Sequence, residues 1–176
     1  MPEEKLVYVI GFMGSGKSTA GKRLASALEW SFIDLDRKIE EAAGKSIQQI
    51  FSQDGEEAFR KTESDVLKNI RPQGGTIVST GGGTPCHGDN MDYMVRNGLT
   101  VYLKMTPGQL AHRLMESTTV RPLIKNISDD DLPGYIEKVL AVREKWYNRA
   151  EIIIEGINLD INRLLLLIKD HSENPI

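Results

Sequence analysis

The residues with the clearest chemical potential form a glycine-rich loop that ends in a lysine and a serine. Residues 11–18 read Gly-Phe-Met-Gly-Ser-Gly-Lys-Ser, a complete G-x-x-x-x-G-K-S pattern. Such a loop turns its backbone N–H groups towards a polyphosphate, and the helix that follows presents its positive end to the same charge. Lys17 would reach the outer phosphates, and the hydroxyl of Ser18 would ligate magnesium. The pattern predicts nucleotide binding rather than an ordinary glycine-rich turn.

The neighbouring sequence supports this interpretation of the loop. The apolar run 6–10 precedes it and is typical of a buried strand. After the loop, apolar residues recur on one helical face at Ala20, Leu24, Ala27 and Leu28. The setting is therefore strand, loop and helix, as the phosphate-binding function requires.

Two carboxylates follow the next apolar run, Phe32-Ile33-Asp34-Leu35-Asp36. If this run is a strand, its two-residue period places Asp34 and Asp36 on one face, and ligands of parallel sheets bind beyond the carboxyl ends of strands. One carboxylate could hold the water shell of magnesium, while the other could help remove a proton from a substrate hydroxyl. Alternatively, Asp36 only caps the next helix. The pairing beside a phosphate loop favours the functional interpretation.

Further candidates are three consecutive glycines and two arginines. The run 76–80 leads into Gly81-Gly82-Gly83, which favours close approach of a ligand to bare backbone over a simple tight turn. The segment Asp54-Gly-Glu-Glu57 resembles a capping box, and the helix it would open carries Arg60 and Glu63 beside a cleft. Arg60 and Arg143 could hold a carboxylate by two parallel hydrogen bonds, although spacing alone does not select them over Arg23 or Arg149.

The longest stretch without regular structure lies between Glu116 and Asp129 and contains Arg121. Long loops in compact domains are often lids, but an ordinary surface loop with a solvated arginine is equally consistent with this composition. Phosphoryl transfer needs water excluded and the developing charge neutralised, so a phosphate-binding enzyme favours the lid.

Alternating elements must position these residues. Strand patterns at 5–10, 32–35, 76–80, 99–104 and 151–155 are separated by segments of helical length. This alternation predicts an α/β fold, in which a parallel sheet is covered by helices on both faces as three α/β/α layers. The apolar run 164–168 is expected to be a helix that docks on the sheet, and the 176 residues fit a single domain over 1–176.

Composition limits the partners and the compartment. A net charge of -3 without a basic tail argues against nucleic acid or an anionic membrane as the main partner. The single cysteine, Cys86, cannot form an internal disulfide and is expected to be an unreactive thiol in a reducing compartment. No apolar stretch approaches the roughly 18 residues of a membrane span, and residues 1–5 lead directly into the first strand without a signal peptide. These features predict a soluble, cytoplasmic protein.

Taken together, the motifs resemble those of the shikimate kinase family in type and in order over nearly the whole chain. The phosphate loop alone is shared by many nucleotide-hydrolysing proteins, but the joint set is specific. It comprises residues 11–19, Asp34-Leu-Asp36, residues 44–51 (Gly-Lys-Ser-Ile-Gln-Gln-Ile-Phe), Phe59-Arg-Lys-Thr-Glu63, Gly81-Gly-Gly83, Arg121-Pro-Leu123 and Arg143 followed by Tyr147.

The resemblance implies a P-loop kinase fold related to the nucleoside monophosphate kinases, with a five-stranded parallel sheet of order 2-3-1-4-5. It also implies transfer of the γ-phosphoryl group of ATP to the 3-hydroxyl of shikimate, with Mg²⁺, in the route to chorismate and the aromatic amino acids. The shikimate-binding region would span about 34–63 and the lid about 116–128. The expected partner is the small-molecule substrate, and the expected state is a monomer.

Residue roles follow from the same resemblance. On the nucleotide side, the phosphates would be held by Gly14, Ser15, Gly16, Lys17, Ser18 and Thr19, with Arg113 and the lid residue Arg121 facing the nucleotide. On the substrate side, Asp36 would bind the shikimate hydroxyls and act as base, and Arg60 and Arg143 would clamp the carboxylate. Gly81 and Gly82 would contact the substrate, Glu63 would orient Arg60, and Asp34 would support magnesium with Ser18, through water. Lys17, Asp36 and Arg121 form the expected catalytic set.

The chain departs from the family pattern at two places. Where members commonly have Arg-x-Pro-x-Tyr, this chain has Lys145 in place of the proline. Residues 84–87 read Thr-Pro-Cys-His instead of an apolar segment, and His87 is expected at the surface. Trp146 and Tyr147 are expected to be packing aromatics. The remaining alternatives are a kinase for gluconate or a nucleoside monophosphate, and a nucleotide-dependent switch.

Overall fold

The computed structural model describes residues 5–72, 74–118 and 121–173, in which strands and helices alternate. The strands are β1 Leu6–Ile10, β2 Ser31–Asp34, β3 Thr76–Ser79, β4 Leu99–Lys104 and β5 Ile152–Glu155. The helices are α1 Lys17–Leu28, α2 Leu35–Ala43, α3 Ile47–Gln53, α4 Gly55–Lys68, α5 Asn90–Asn97, α6 Pro107–Glu116, α7 Leu132–Tyr147 and α8 Ile161–Glu173. Short 3₁₀ turns lie at Thr84–Cys86 and Pro122–Ile124.

The five strands form one parallel sheet of order β2-β3-β1-β4-β5. This confirms the predicted α/β class and strand order. The strand bounds agree with the sequence-based prediction to within a residue at each end. Because β1 has β3 on one side and β4 on the other, the loop after β1 lies where the strand order reverses, which is where ligands bind in open parallel sheets.

The side chains of β1 alternate between two hydrophobic clusters. Leu6, Tyr8 and Ile10 belong to the cluster that α2, α3, α4, α5, α6 and α7 cover. Val7 and Val9 belong to the opposite cluster, which α1 and α8 cover. The two clusters confirm the three-layer arrangement, and their apolar burial fixes the central strand and therefore the loop that follows it.

In two helices, some of the apolar residues that were predicted to be buried are exposed. In α1 the buried positions are Lys17, Ala20, Gly21, Leu24 and Ala25, whereas Ala27 is exposed. In α8 only part of the apolar run is buried, and Leu166 is 62% exposed. An amphipathic helix buries a stripe rather than every apolar residue, so a continuous apolar run leaves some side chains in solvent.

The predicted capping box at the start of α4 was wrong. Asp54 lies at the N-cap position but makes no side-chain capping hydrogen bond. Its carboxylate pairs instead with Lys45, at 2.8 Å. Capping boxes occur at α3, where Ser46 pairs with Gln49, and at α6, where Thr106 pairs with Gln109. The start of α4 was nevertheless located correctly, at Gly55.

The second strand also ends earlier than predicted. It stops at Asp34, and Leu35 and Asp36 form the first turn of α2. The cause is local, because Asp34 Oδ1 accepts hydrogen bonds from the backbone N–H groups of Asp36 and Arg37, at 3.1 and 3.4 Å, and so caps the helix. Asp34 and Asp36 therefore do not share the face of a strand, although both lie at the carboxyl edge of the sheet.

None of the helices within the described residues has both the length and the apolar character needed to cross a membrane.

Candidate active site

The phosphate loop is shaped by glycines in the left-handed region. Gly14 has φ 82° and Gly16 has φ 89°, and Gly16 is the N-cap of α1. A Cβ at Gly14 would lie 3.0 Å from the side chain of Leu114, and one at Gly16 would lie 3.0 Å from Nη1 of Arg113. Other residues would therefore be strained in conformation and crowded against α6.

Lys17 spans the inside of this loop. Its side chain is buried, and Nζ donates to the carbonyl oxygen of Phe12 at 2.8 Å. Burial lowers the pKa of Lys17 to about 8, and the nearby carboxylate of Asp36 opposes that shift. An anionic group in the loop would favour the charged ammonium, so the lysine is suited to bind phosphate.

Three side-chain oxygens converge beside the start of α1. Ser18 Oγ donates to Asp34 Oδ2 at 2.9 Å and lies 3.2 Å from Ser79 Oγ. Across the described residues, no group of three or more His, Cys, Asp or Glu side chains could form a metal site. Hard oxygen ligands with a single carboxylate suit Mg²⁺, which keeps several waters and takes its other ligands from substrate phosphates.

Asp36 faces the cleft and is free of the capping role that one interpretation gave it, because Asp34 caps α2. Its carboxylate reaches solvent, yet the surrounding protein and the charge of Asp34 raise its pKa to about 6, partly opposed by Lys17. A carboxylate with a raised pKa is a stronger base than an ordinary aspartate and remains ionised at neutral pH.

Arg60 lines the same cleft and is held there by Glu63. Arg60 Nη1 donates to Glu63 Oε2 at 2.9 Å, and Glu63 is fully buried. The guanidinium lies against bare backbone, since a Cβ at Gly83 would be 2.7 Å from Arg60 Nη2. Its buried Nε makes no hydrogen bond with the described residues. A buried donor of this kind remains available for an anionic ligand.

Arg143 approaches the same region from α7. Its guanidinium lies 5.4 Å from the ring centre of Phe12, and a Cβ at Gly82 would be 3.5 Å from its Nη1. Lys145 replaces the proline of the family pattern, and α7 continues through it without interruption to Tyr147. The hydroxyl of Tyr147 donates to the carbonyl oxygen of Gly82 at 2.5 Å.

Two further arginines, Arg113 and Arg121, line the cleft. Arg113 Nη1 donates to the carbonyl oxygen of Ser15 at 3.2 Å. Arg121 is partly buried, and within the described residues its Nε has no hydrogen-bond partner. Burial lowers the pKa of Arg121, while Asp36 favours its charged form. Residues 119 and 120 of the predicted lid lie outside the described residues.

These groups line one open cleft of about 870 Å³. Of the predicted site residues, Ser15 and Asp34 are not part of its lining; Ser15 is buried within the loop and Asp34 is bound to Ser18. The lining contains the other predicted site residues, which are Gly14, Gly16, Lys17, Ser18, Thr19, Asp36, Arg60, Glu63, Gly81, Gly82, Arg113, Arg121 and Arg143. The phosphate loop with Lys17, the carboxylate of Asp36 and the guanidinium groups of Arg60 and Arg143 thus line one cleft.

Sequence reasoning missed several supporting groups. Ser79 contacts Ser18, Gly83 accommodates the Arg60 guanidinium, and Thr84 donates to Glu63 at 2.6 Å. Tyr147 was expected only to pack, and it also anchors Gly82. A polar residue at the end of an otherwise apolar strand, as at Ser79, was the one available signal. The others depend on three-dimensional contacts that spacing does not reveal.

The residues after the triple glycine are more enclosed than predicted. His87, expected at the surface, is partly buried, and burial followed by the charge of Arg60 lowers its pKa. Cys86 is also partly buried, and burial raises the pKa of its thiol to about 11. A raised pKa disfavours the thiolate, which agrees with the unreactive thiol predicted from the sequence.

Comparisons with known proteins support one family. A family model described as shikimate kinase matches residues 13–165. A curated shikimate kinase of Parabacteroides distasonis is 42% identical over 152 residues, which cover 86% of this chain and 88% of that protein.

Solved structures agree with this result. A shikimate kinase of Bacteroides thetaiotaomicron has a TM-score of 0.84 and 34% identity, covering 96% of this chain and 98% of the other. A shikimate kinase of Acinetobacter baumannii in complex with shikimate has a TM-score of 0.83 and 27% identity, covering 99% of this chain and 97% of the other.

Proposed function

The chain belongs to the shikimate kinase family, and from this membership we propose that its cleft transfers the γ-phosphoryl group of ATP to the 3-hydroxyl of shikimate. The product is shikimate 3-phosphate, an intermediate in the synthesis of aromatic amino acids. The observation that carries the proposal is that the phosphate loop with Lys17 lines the same cleft as Arg60 and Arg143.

The donor half binds ATP. The phosphates lie against the backbone of 14–19 and the N-terminus of α1, with Lys17 on the outer phosphates. Ser18 would bind Mg²⁺ directly and Asp34 would bind it through water; their side-chain oxygens lie 2.9 Å apart. When bound, Mg²⁺ neutralises charge on the transferring phosphoryl group.

The acceptor half binds shikimate. Arg60 and Arg143 clamp its carboxylate, since each presents a buried guanidinium nitrogen that makes no hydrogen bond with the described residues. Gly81 and Gly82 bring backbone to the substrate, and Asp36 accepts the hydroxyl proton. Asp36 is suited to this role because its raised pKa of about 6 still leaves a carboxylate at pH 7.

Closure completes the site. We expect the segment 116–128 to act as a lid that places Arg121 over the transferring phosphoryl group and excludes water. The charge of Arg121 compensates the negative charge that accumulates on the equatorial oxygens. Catalysis therefore depends on positioning and charge stabilisation, with little covalent chemistry by the protein.

The alternatives are less consistent with these residues. A nucleoside monophosphate would call for additional cations and a base pocket on the acceptor side. A switch protein has no use for a carboxylate clamp opposite the phosphates. Gluconate, like shikimate, carries a carboxylate and several hydroxyls, so family membership, rather than the charge of the cleft, favours shikimate as the acceptor.

A single copy of the chain supplies residues for both halves of this cleft. We therefore propose that the chain acts as one kinase domain and as a monomer, with the substrate-binding region at 34–63. The absence of a cysteine pair in the sequence agrees with action in the reducing cytoplasm.

The carboxylate clamp is tested by replacing Arg60 with alanine. We expect the KM for shikimate to rise by about 10- to 100-fold, because hydrogen bonds between charged groups contribute roughly 1.5–3 kcal/mol. The KM for ATP should change less than about twofold, since Arg60 lies on the acceptor side. Steady-state kinetics with each substrate varied in turn measure both values. Arg23→Ala, an exposed arginine on α1, is the matched control. An unchanged KM for shikimate in Arg60→Ala would refute the clamp.

A further inference from the structure

The hydroxyl of Thr84 makes a short hydrogen bond that neither the phosphate loop nor the substrate clamp explains. Thr84 Oγ1 donates to Glu63 Oε1 at 2.6 Å, and both residues are fully buried. A buried carboxylate is costly unless its oxygens receive hydrogen bonds. Thr84 therefore satisfies one of the two oxygens of Glu63.

The other oxygen of Glu63 holds Arg60. Glu63 Oε2 accepts from Arg60 Nη1 at 2.9 Å. With one donor on each oxygen, the carboxylate has a fixed orientation and presents a single oxygen to the guanidinium. Without the Thr84 hydroxyl, Oε1 would also require a donor, and the guanidinium that already donates to Oε2 could supply it. Glu63 would then compete with the substrate carboxylate for the N–H groups of Arg60.

Thr84 is itself fixed to the helix that carries Arg60 and Glu63. Its carbonyl oxygen accepts from Asn90 Nδ2 at 3.0 Å, and Asn90 Oδ1 accepts from Ser64 Oγ at 2.8 Å. Ser64 follows Glu63 in α4. The contacts form a closed network from α4 through the 3₁₀ turn and α5 back to α4, so the position of the Thr84 hydroxyl is defined relative to Glu63.

The same hydroxyl also lies against the triple glycine. A Cβ at Gly81 would be 3.0 Å from Thr84 Oγ1 and 3.2 Å from Glu63 Oε1. The guanidinium of Arg60 lies similarly close to Gly83. Thr84 thus lies at the junction between the glycine backbone and the arginine, both of which the proposed function places against the substrate.

We propose that Thr84 is a positioning residue for the substrate carboxylate, acting through Glu63 on Arg60. The proposal rests on the proposed role of Arg60 as the shikimate clamp. In this proposal the Thr84 hydroxyl increases the affinity for shikimate. It contacts neither substrate directly and takes no part in the chemical step.

Two pairs of proteins measure the effect of the hydroxyl alone. Wild type and Thr84→Val have side chains of nearly the same shape, but only threonine has the hydroxyl. Thr84→Ser and Thr84→Ala likewise differ by one oxygen atom. We expect the KM for shikimate to rise about tenfold in the valine variant relative to wild type, and by a similar factor in alanine relative to serine. The kcat and the KM for ATP should stay within about twofold, as expected for loss of uniform substrate binding. If Thr84→Val fails to fold, the serine and alanine pair gives the same comparison.

A double-mutant cycle with Arg60→Ala tests whether Thr84 affects shikimate binding through Arg60. If Thr84 acts through Arg60, Thr84→Val should not raise the shikimate KM further in the Arg60→Ala background. The proposal is overturned if the KM does not follow the hydroxyl, if the KM for ATP rises equally, or if the two substitutions are additive. An Arg60→Ala variant with unchanged KM would instead contradict the proposed clamp itself, and a wild-type protein inactive on shikimate would contradict the proposed function.

Discussion

Replacement of Asp36 by asparagine is expected to lower kcat by about 10²- to 10⁴-fold, the range associated with loss of a positioned general base. Asparagine keeps the shape of the side chain but cannot accept the hydroxyl proton. The fold should be retained, because Asp34 rather than Asp36 caps α2 and the substitution removes a charge that lies close to Asp34. Single-turnover and steady-state kinetics with saturating ATP and shikimate measure the loss.

The pH dependence distinguishes this role from simple binding. The pKa of Asp36 is raised to about 6, so the carboxylate form is lost as the pH falls through that value. Wild-type kcat/KM for shikimate should therefore decline below about pH 6, and Asp36→Asn should lack this acidic limb. Glu41→Gln, an exposed carboxylate on the same helix, is the control. An asparagine variant that retains more than about a tenth of wild-type kcat would contradict the assignment of the base.

The second large effect is expected for Lys17→Met, which should lower kcat by about 10²- to 10³-fold. Methionine fills a similar volume but removes the charge that stabilises the transferring phosphoryl group. The KM for ATP should rise as well, whereas shikimate affinity should change little because Lys17 belongs to the phosphate loop. The free energy of unfolding is not expected to fall strongly, since the substitution removes a buried charge together with its hydrogen bond to the Phe12 carbonyl.

The lowered pKa of Lys17 predicts a loss of activity at alkaline pH. Burial lowers its pKa to about 8 in the nucleotide-free protein. The charged form that attracts phosphate is lost as the pH rises through this value, so kcat/KM for ATP should decline above about pH 8. Lys22→Met, an exposed lysine on α1, controls for charge on the same helix. Turnover of Lys17→Met within tenfold of wild type would refute its role.

The fold was predictable because its signals are local. Buried parallel strands are continuous apolar runs, and the glycines of the loop specify a backbone that few other residues adopt. The order of the strands came from the family resemblance rather than from periodicity. The helix caps were harder to predict. By sequence, Asp34 and Asp54 are both plausible caps, but Asp34 caps α2 whereas Asp54 pairs with Lys45.

The candidate site was only partly predictable for a related reason. Asp34 and Asp36 were expected to be neighbours on one strand face; they are instead adjacent because Asp36 occupies the first turn of the helix that Asp34 caps. Contacts such as those of Thr84 with Glu63 and Tyr147 with Gly82 join residues 21 and 65 positions apart. Tertiary contacts over such separations leave no periodic signal in a single sequence.

The central claim is that this cleft pairs an ATP site with a shikimate site. The most direct measurement is ADP release by the purified protein with ATP and Mg²⁺, compared for shikimate, gluconate and buffer alone. The account predicts that shikimate raises the rate at least about 10²-fold above buffer and that gluconate does not, because family membership assigns the acceptor half to shikimate. A rate independent of the acceptor, or one stimulated equally by gluconate, would contradict it.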